Sequence, residues 1–272
     1  MTTIHPTAVV DADAQLGEGV EIGPYCVLGK HVTLGDGVRL RSHVVVDGWT
    51  RLGPRCDVFA FASLGTQTQD LKYEGGPTYV EIGAETTLRE YVTVNSGTTA
   101  TEVTRVGSRC HIMAYAHVAH GCTVGDEVVM ANCATLAGHV EVADQAIIGG
   151  LSGVHQFVRI GRLGFVGGCV KVTQDVPPFI MVDGNPAVVR GLNKVGLNRR
   201  GVEPEAQRWL RRAYSKLYRE KLSVRAALEM LRAEAPAFPE AETFIGFVES
   251  AQRGIVRPPA REGKPPDEER DA

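Results

Sequence analysis

Large rings are scarce in this sequence: eight Phe, seven Tyr and two Trp among 272 residues. A core for a chain this long must then be assembled mostly from aliphatic side chains. Paired cysteines are missing as well. The six cysteines, at 26, 56, 110, 122, 133 and 169, form no CxxC spacing, which removes compact metal-ribbon and dithiol motifs and leaves small core filler in a reducing compartment as their role. No apolar run reaches the roughly 18 residues of a membrane span, and the opening MTTIHPTAVV lacks a basic segment followed by a signal-length apolar stretch. A cytoplasmic protein without a transmembrane segment is expected. The formal net charge of -3 supplies no attraction for nucleic acid or an anionic membrane. GxxxxGK[ST] and GxSxG are also absent, so neither ATP use nor a covalent serine is supported.

Glycine, by contrast, is abundant at 31 residues, and the aliphatic residues are spaced with unusual regularity. Stepping by six from Ile4 passes through Val10, Leu16, Ile22 and Leu28 and continues to Val172; only Asp70, Gly76 and Ala100 interrupt 29 slots. The position two before each slot is usually small or β-branched, as at Val20, Cys26, Val32, Val38, Ala116, Cys122 and Ala134. An α-helix would scatter a six-residue period around its surface, whereas short strands joined by repeated turns point every sixth side chain inward. The repeat predicts a parallel β-helix over 1–184, with three hexapeptides per coil and rungs about 4.8 Å apart. Such a solenoid can be a mere wall or spacer, so its chemistry must come from interruptions and polar faces.

Two interruptions return in phase. TQTQDLKYEGGP, 66–77, reads as a loop extruded from the coil; it either caps an edge, meets a neighbouring subunit, or reaches a ligand through Lys72 and Asp70. NSGTTATEVT, 95–104, reads as a hydroxyl-rich turn. Beyond 175 the pattern ends at Pro177-Pro178 and the Asp183-Gly184 turn. A helical region is expected over 185–256, with Trp209, Leu210, Ala213, Tyr214 and Leu217 on one face and Ser223 capping a later helix. The closing stretch, 257–272, lacks apolar anchors and is expected to be disordered.

In an eighteen-residue coil, His120 lies one rung from Gly138 and two from Gln156, with His139 and His155 beside those positions and His117 on the first rung. Three histidines from three rungs then approach one edge. Zinc requires ligands converging at about 2.1 Å, which rungs separated by more than twice that distance do not supply. A neutral histidine can instead take a proton from a hydroxyl attacking a thioester, while N–H groups of glycine-containing turns stabilise the oxyanion. Cys122 belongs to the inward column and is not expected to be a nucleophile.

Together, HVAHGC, QDLKY, LAGHV and VHQF resemble the motifs of the acyl-[acyl-carrier-protein]:UDP-N-acetylglucosamine O-acyltransferases, which open lipid A synthesis. The resemblance runs from the N-terminal repeats through GNPAVVRGLNKVGLNRRG and the helical region. It implies a left-handed β-helix, a homotrimer with clefts between neighbouring prisms, and transfer of an (R)-3-hydroxyacyl group from acyl carrier protein to the 3-hydroxyl of UDP-N-acetylglucosamine, with no cofactor and no metal. His120 would be the general base. Asp70, Lys72, His117, His139, His155 and Gln156 would position substrate, and Asn193, Arg199 and Arg200 would meet the nucleotide or its phosphates. Gly168 would leave room for a long acyl chain. Asp70 and Lys72 are expected to reach their site from an adjoining chain.

The sequence departs from that family's pattern twice: Gly121 follows His120 where Asp is usual, and Val195 stands where Glu is familiar. These changes keep N-acylation of a 3-amino analogue open beside O-acylation. Other readings are the later glucosamine N-acyltransferase, whose uridine-binding domain has no counterpart before Ile4, a coenzyme A acetyltransferase, which would not need the feature at Gly168, and a noncatalytic scaffold binding the carrier protein or nucleotide.

Overall fold

A computed structural model describes residues 1–258. Two-residue strands recur every six residues, as at Glu21–Ile22, Val27–Leu28 and Thr33–Leu34. Each turns into a different sheet and every third strand returns to the same one, so that among the described residues eleven, nine and eight strands form the three faces of a prism. The first face begins at Thr3–Ile4, the second at Val9–Val10 and the third at Gln15–Leu16. Pairing within the coils is parallel with the expected eighteen-residue step: Thr3 beside Glu21, Val27 beside Val45, Arg105 beside Thr123.

The second residue of each strand faces inward. Ile22, Leu28, Leu34, Leu40, Val58, Leu88, Ile112 and Leu136 are buried, and so are Val20, Cys26, Val32 and Val38 two positions earlier. Burying one such Leu or Ile contributes about 1.5–3 kcal/mol. Ile4 has the same pattern but is 44% exposed, because no earlier rung covers it. Residues three after the inward aliphatic turn many of the corners with left-handed backbone, among them Tyr25, His43, Phe61, Tyr91 and Tyr115, with φ between 58° and 63°. Their rings follow one another along the edge between the first and second faces at 4.8–5.0 Å, the strand spacing of the sheets beneath.

Both interruptions leave the prism at neighbouring rungs. Leu64 pairs with Val94, twelve residues beyond the usual step, and Val94 with Val118, six beyond it. The second excursion is more than a turn: it packs on the first. Asn95 Nδ2 donates to the Thr66 and Gln67 carbonyls at 3.3 and 3.1 Å, Thr68 and Thr98 share a hydroxyl hydrogen bond, and the Thr101 N–H donates to the Pro77 carbonyl at 2.9 Å.

Sheet structure continues past the expected limit at 184. The strand Ile180–Asp183 extends the first face, and Val188–Leu192 folds back antiparallel on it. Asp183-Gly184 therefore turns a hairpin instead of ending the strands, and the helices begin at residue 194: α1 Lys194–Arg199, α2 Pro204–Tyr218, α3 Val224–Ala233 and α4 Pro239–Glu249. Trp209, Leu210, Ala213 and Leu217 are buried on α2, with Tyr214 packed at the margin, and Ser223 caps α3 by accepting the Ala226 N–H at 3.1 Å. A largely buried ion pair ties the helices to the prism. Arg159 meets buried Asp175 at 3.1 Å, donates to the Phe247 carbonyl and stacks over the Phe247 ring. Of the expected tail 257–272, residues 259–272 lie outside those described.

Candidate active site

The edge between the second and third faces carries the histidines. The strand His117–Val118 leads into a turn that holds His120, and one rung on the His139 N–H donates to the His120 carbonyl at 3.0 Å. The imidazoles of His120 and His139 meet edge to face, with centroids 4.9 Å apart, and His139 in turn stacks flat on Phe157. Gly138 makes the arrangement possible: a Cβ there would overlap the His120 ring. The expected edge is thus formed by His120, His139 and Phe157. His155 and Gln156 are exposed one rung further on, and the His155 ring turns to the Gln156 carbonyl at 3.1 Å.

His120 faces a carboxylate with one ring nitrogen and protein interior with the other. Its Nε2 is 3.7 Å from Asp70 Oδ2, while its Nδ1 is buried without a hydrogen-bond partner. Burial is the main cause that holds its pKa below the usual 6.5; His139 and Lys72 add to this, and Asp70 and Glu102 oppose it. A buried imidazole next to other cationic groups favours its neutral form. His117 is also held low, first by burial and then by His120, and its Nδ1 meets the Thr93 hydroxyl at 2.7 Å.

Asp70 comes from the first excursion of the same chain, which corrects the expectation that an adjoining chain delivers it. Its own turn fixes it: Asp70 Oδ1 accepts the Lys72 N–H and the Asp70 N–H donates to the Thr68 hydroxyl. Since the 66–77 loop leaves the prism close to the rung of His117 and His120, it folds over them without needing a second subunit. Leu71 at the loop tip is completely exposed.

Glu102 was not identifiable from the repeat. It is the sole acidic residue of 95–104, and its Oε1 stands 3.3 Å from His139 Nδ1. Its other oxygen accepts the Thr98 N–H and, at 3.4 Å, the Thr99 N–H. A groove of about 770 Å³ adjoins this cluster, lined by Gly121, His139, Phe157, Arg159 and Arg253 among others. Cys122, by contrast, is buried, donates its thiol to the Ala137 carbonyl, and is pushed up to about 12 by burial. That environment suppresses the thiolate, so Cys122 is core and not a nucleophile.

The remaining predicted residues lie elsewhere on the prism. Asn193 is buried; its amide donates to the Leu163 carbonyl at 2.9 Å and accepts the Gly196 N–H at 2.8 Å, capping α1. That cap projects Arg199 and Arg200 over a cavity of about 470 Å³ beside the first face, which Val195 also lines. Arg200 pairs with Glu127 on the far edge. Gly168 is exposed at the edge between the first and second faces, and a side chain there would meet only the Gly150 carbonyl, at ordinary contact distance. Among the described residues no three His, Cys, Asp or Glu side chains converge as a metal site, and no helix is long and apolar enough to cross a membrane.

Comparison with known proteins accounts for both parts of this architecture. Residues 175–256 match the family model described as UDP N-acetylglucosamine O-acyltransferase, domain 2, and residues 13–48 and 104–138 match that of the bacterial transferase hexapeptide. The chain is 46% identical over 258 residues to the acyl-[acyl-carrier-protein]–UDP-N-acetylglucosamine O-acyltransferase of Thermodesulfovibrio yellowstonii, across 94% of this chain and 100% of that protein. The solved UDP-N-acetylglucosamine acyltransferase of Francisella novicida superposes with a TM-score of 0.92 at 35% identity, covering 96% of this chain and 100% of that one. The corresponding O-acyltransferase of Moraxella catarrhalis gives 0.89 at 40%, covering 93% and 99%. The fold shared with these structures is the left-handed β-helix with C-terminal helices. With a relative this similar along nearly its whole length, the chain belongs to the acyl-[acyl-carrier-protein]–UDP-N-acetylglucosamine O-acyltransferase family.

Proposed function

We propose that this protein transfers an (R)-3-hydroxyacyl group from acyl carrier protein to the 3-hydroxyl of UDP-N-acetylglucosamine, the opening step of lipid A synthesis, with His120 as general base. The observation that carries the reading is the state of His120: a largely buried imidazole held below its usual pKa, with Asp70 in front of Nε2 and the histidine and carboxylate cluster behind it. Neutral His120 takes the acceptor's proton as its oxygen attacks the thioester carbonyl; a C–O bond forms, the C–S bond breaks, and the imidazolium returns the proton to the departing carrier thiolate. Lys72 and His117 flank the acceptor, and His139, His155 and Gln156 continue the edge along which substrate lies. All six cysteines are free, which fits a reducing, cytoplasmic compartment.

The working unit of this proposal is a homotrimer. In one chain the histidines occupy the edge between the second and third faces, whereas Arg199 and Arg200 overhang the first. Packing prisms around a threefold axis sets the arginines of one chain towards the histidine edge of the next, where they hold the nucleotide's phosphates. Asn193 then serves by fixing α1, and Gly168 leaves the acyl groove open.

Incubating the purified protein with (R)-3-hydroxyacyl carrier protein and either UDP-N-acetylglucosamine or its 3-amino analogue, followed by mass spectrometry of the nucleotide sugar, tests the reading. An O-acylated product is expected. Product from the amine alone selects N-acylation, and no product from either, with trimers intact, rejects acyl transfer and leaves a binding scaffold. His120→Ala should lower turnover by roughly 10²- to 10⁴-fold without loss of assembly.

A further inference from the structure

Residue 121 has no side chain, yet the volume that one would occupy is filled. A Cβ on Gly121 would lie 2.7 Å from Glu102 Oε1 and closer still to His139 Nδ1. The carboxylate arrives from the second excursion, through a turn that makes space for it: a Cβ on Gly97 would strike the Glu102 Cβ at 2.6 Å and Cγ at 2.8 Å. Glu102 is then anchored from both ends. One oxygen accepts the Thr98 and Thr99 N–H groups, and the other meets His139. Thr98 also ties this turn to Thr68, in the loop that carries Asp70. The two interruptions thus bring one carboxylate to each side of the His120 and His139 pair.

We propose that Glu102 is the positioning carboxylate of this histidine pair, standing in the side-chain space of Gly121 and acting on His120 through His139. This rests on the reading of His120 as the base. Glu102 Oε1 stands 3.3 Å from His139 Nδ1 and so restrains that ring by charge and contact. His120 packs edge-on against the ring and has no hydrogen bond of its own at Nδ1, so its orientation is set by packing against a neighbour that must itself be fixed. As His120 takes up the acceptor proton it becomes a cation in a poorly solvated site, and the nearby anion compensates that charge. A carboxylate delivered from another rung is needed here because the turn after His120 offers only backbone. Glu102 acts through His139, which it contacts, and not on the reacting atoms, so it is a positioning residue.

Glu102→Gln, Glu102→Ala, Gly121→Asp and the double variant Glu102→Ala/Gly121→Asp test this in the full-length trimer. Gln keeps an acceptor for the Thr98 N–H and preserves the turn. Its expected effect is a fall in kcat of about 10- to 100-fold, the scale of removing an outer partner that orients a functional imidazole, with KM for UDP-N-acetylglucosamine nearly unchanged. The acidic limb of kcat/KM should also move to lower pH. His120 is faced by His139, His117, Lys72, Asp70 and Glu102, and deleting one of the two anions makes its imidazolium harder to form. Gly121→Asp alone crowds the space shared by Glu102 and the His139 ring and should lower activity. In the Glu102→Ala background the same aspartate, whose short side chain tolerates the φ of +64° at this position, returns a carboxylate beside a His139 ring that must swing aside for the new Cβ, and should recover part of the lost kcat. Wild-type kcat in Glu102→Gln, or a loss with an unmoved acidic limb and no recovery in the double variant, overturns the proposal and leaves Glu102 as a turn former. If His120→Ala retains full turnover, the base assignment fails first and Glu102 has nothing to position; if His120→Ala is inactive while Glu102→Gln is not, only the Glu102 proposal fails.

Discussion

Asp70 Oδ2 faces His120 Nε2 across 3.7 Å within a single chain, although fifty residues, the second excursion among them, separate the two in sequence. The loop that carries Asp70 is long enough to fold back over its own prism, and its turn hydrogen bonds aim the carboxylate before substrate arrives. Asp70→Ala should therefore reduce kcat/KM while leaving trimer content unchanged. Because both residues belong to one chain's half of the site, mixing Asp70→Ala with His120→Ala chains should restore nothing. Every site in a mixed trimer then lacks one of the two groups. Recovery of activity in verified mixed trimers would place Asp70 against a neighbour's histidine.

Arg199 and Arg200 should behave in the opposite way. They project from α1 over the first face, away from the histidine edge of their own chain. In a threefold assembly a chain with intact histidines but alanines at 199 and 200 draws its phosphate contacts from an adjoining chain. Mixing Arg199→Ala/Arg200→Ala chains with His120→Ala chains is expected to recover part of the activity that neither parent shows. Steady-state kinetics on mixed trimers separated by differential tags check this, and no recovery would mean that arginines and base act in the same chain or that the arginines lie outside the site.

The contrast between these residues shows which parts of the structure are legible in sequence. The inward column from Ile22 to Val172 is visible because a coil repeats its environment every six residues, so burial writes itself as a period. The histidine edge follows from the same arithmetic: eighteen residues per coil put His120 beside Gly138 and bring His139 alongside. Asp70 and Lys72 were visible only as a break in the period, since nothing periodic states where an extruded loop lands. Glu102 was hidden more deeply. It sits in a break only six residues beyond the normal step, which reads as an ordinary turn, and its partner is a histidine on another rung. The strand Val188–Leu192 was missed because Asp183-Gly184 is equally good chemistry for ending a strand and for reversing it. Asn193 has a side chain suited to nucleotide contact and to helix capping alike, and the tertiary structure uses it for the cap.

Protonation sets the pH response. His120 and His117 both have folded pKa values below 6.5, chiefly through burial, so neutral base is retained into mildly acidic solution and the acidic limb of kcat/KM is expected below pH 6.5. The sign for stability follows from the same shifts. As pH falls through 6.5 these histidines protonate in the unfolded chain before they do so in the folded one, so the unfolded state binds more protons and their linkage lowers stability until the folded values are passed. Urea unfolding followed between pH 7.5 and 5 should show the midpoint decreasing over that lower window in the wild type and less steeply in His117→Phe, a variant that removes one of the two groups. An acidic limb at or above pH 7 would assign the kinetic titration to another residue.

Gly168 offers a clean steric experiment because its replacement disturbs so little. Its φ lies outside the left-handed region and the nearest atom to an added Cβ is the Gly150 carbonyl oxygen at 3.5 Å, so a side chain at 168 can project from the edge without displacing backbone. Gly168→Met should then leave the unfolding midpoint and trimer content near wild type while filling space beyond the prism edge. If that space receives the far end of the acyl chain, donors that reach it lose contact and clash, and shorter donors become preferred. Each methylene denied burial forfeits about 0.8 kcal/mol, so a donor two carbons too long for the variant should lose on the order of tenfold in kcat/KM relative to the same donor with the wild type, and more where it clashes. A series of (R)-3-hydroxyacyl carrier proteins differing by two carbons measures the shift directly. An unchanged order of donors, in a variant that remains folded and trimeric, would show that the groove ends at another residue.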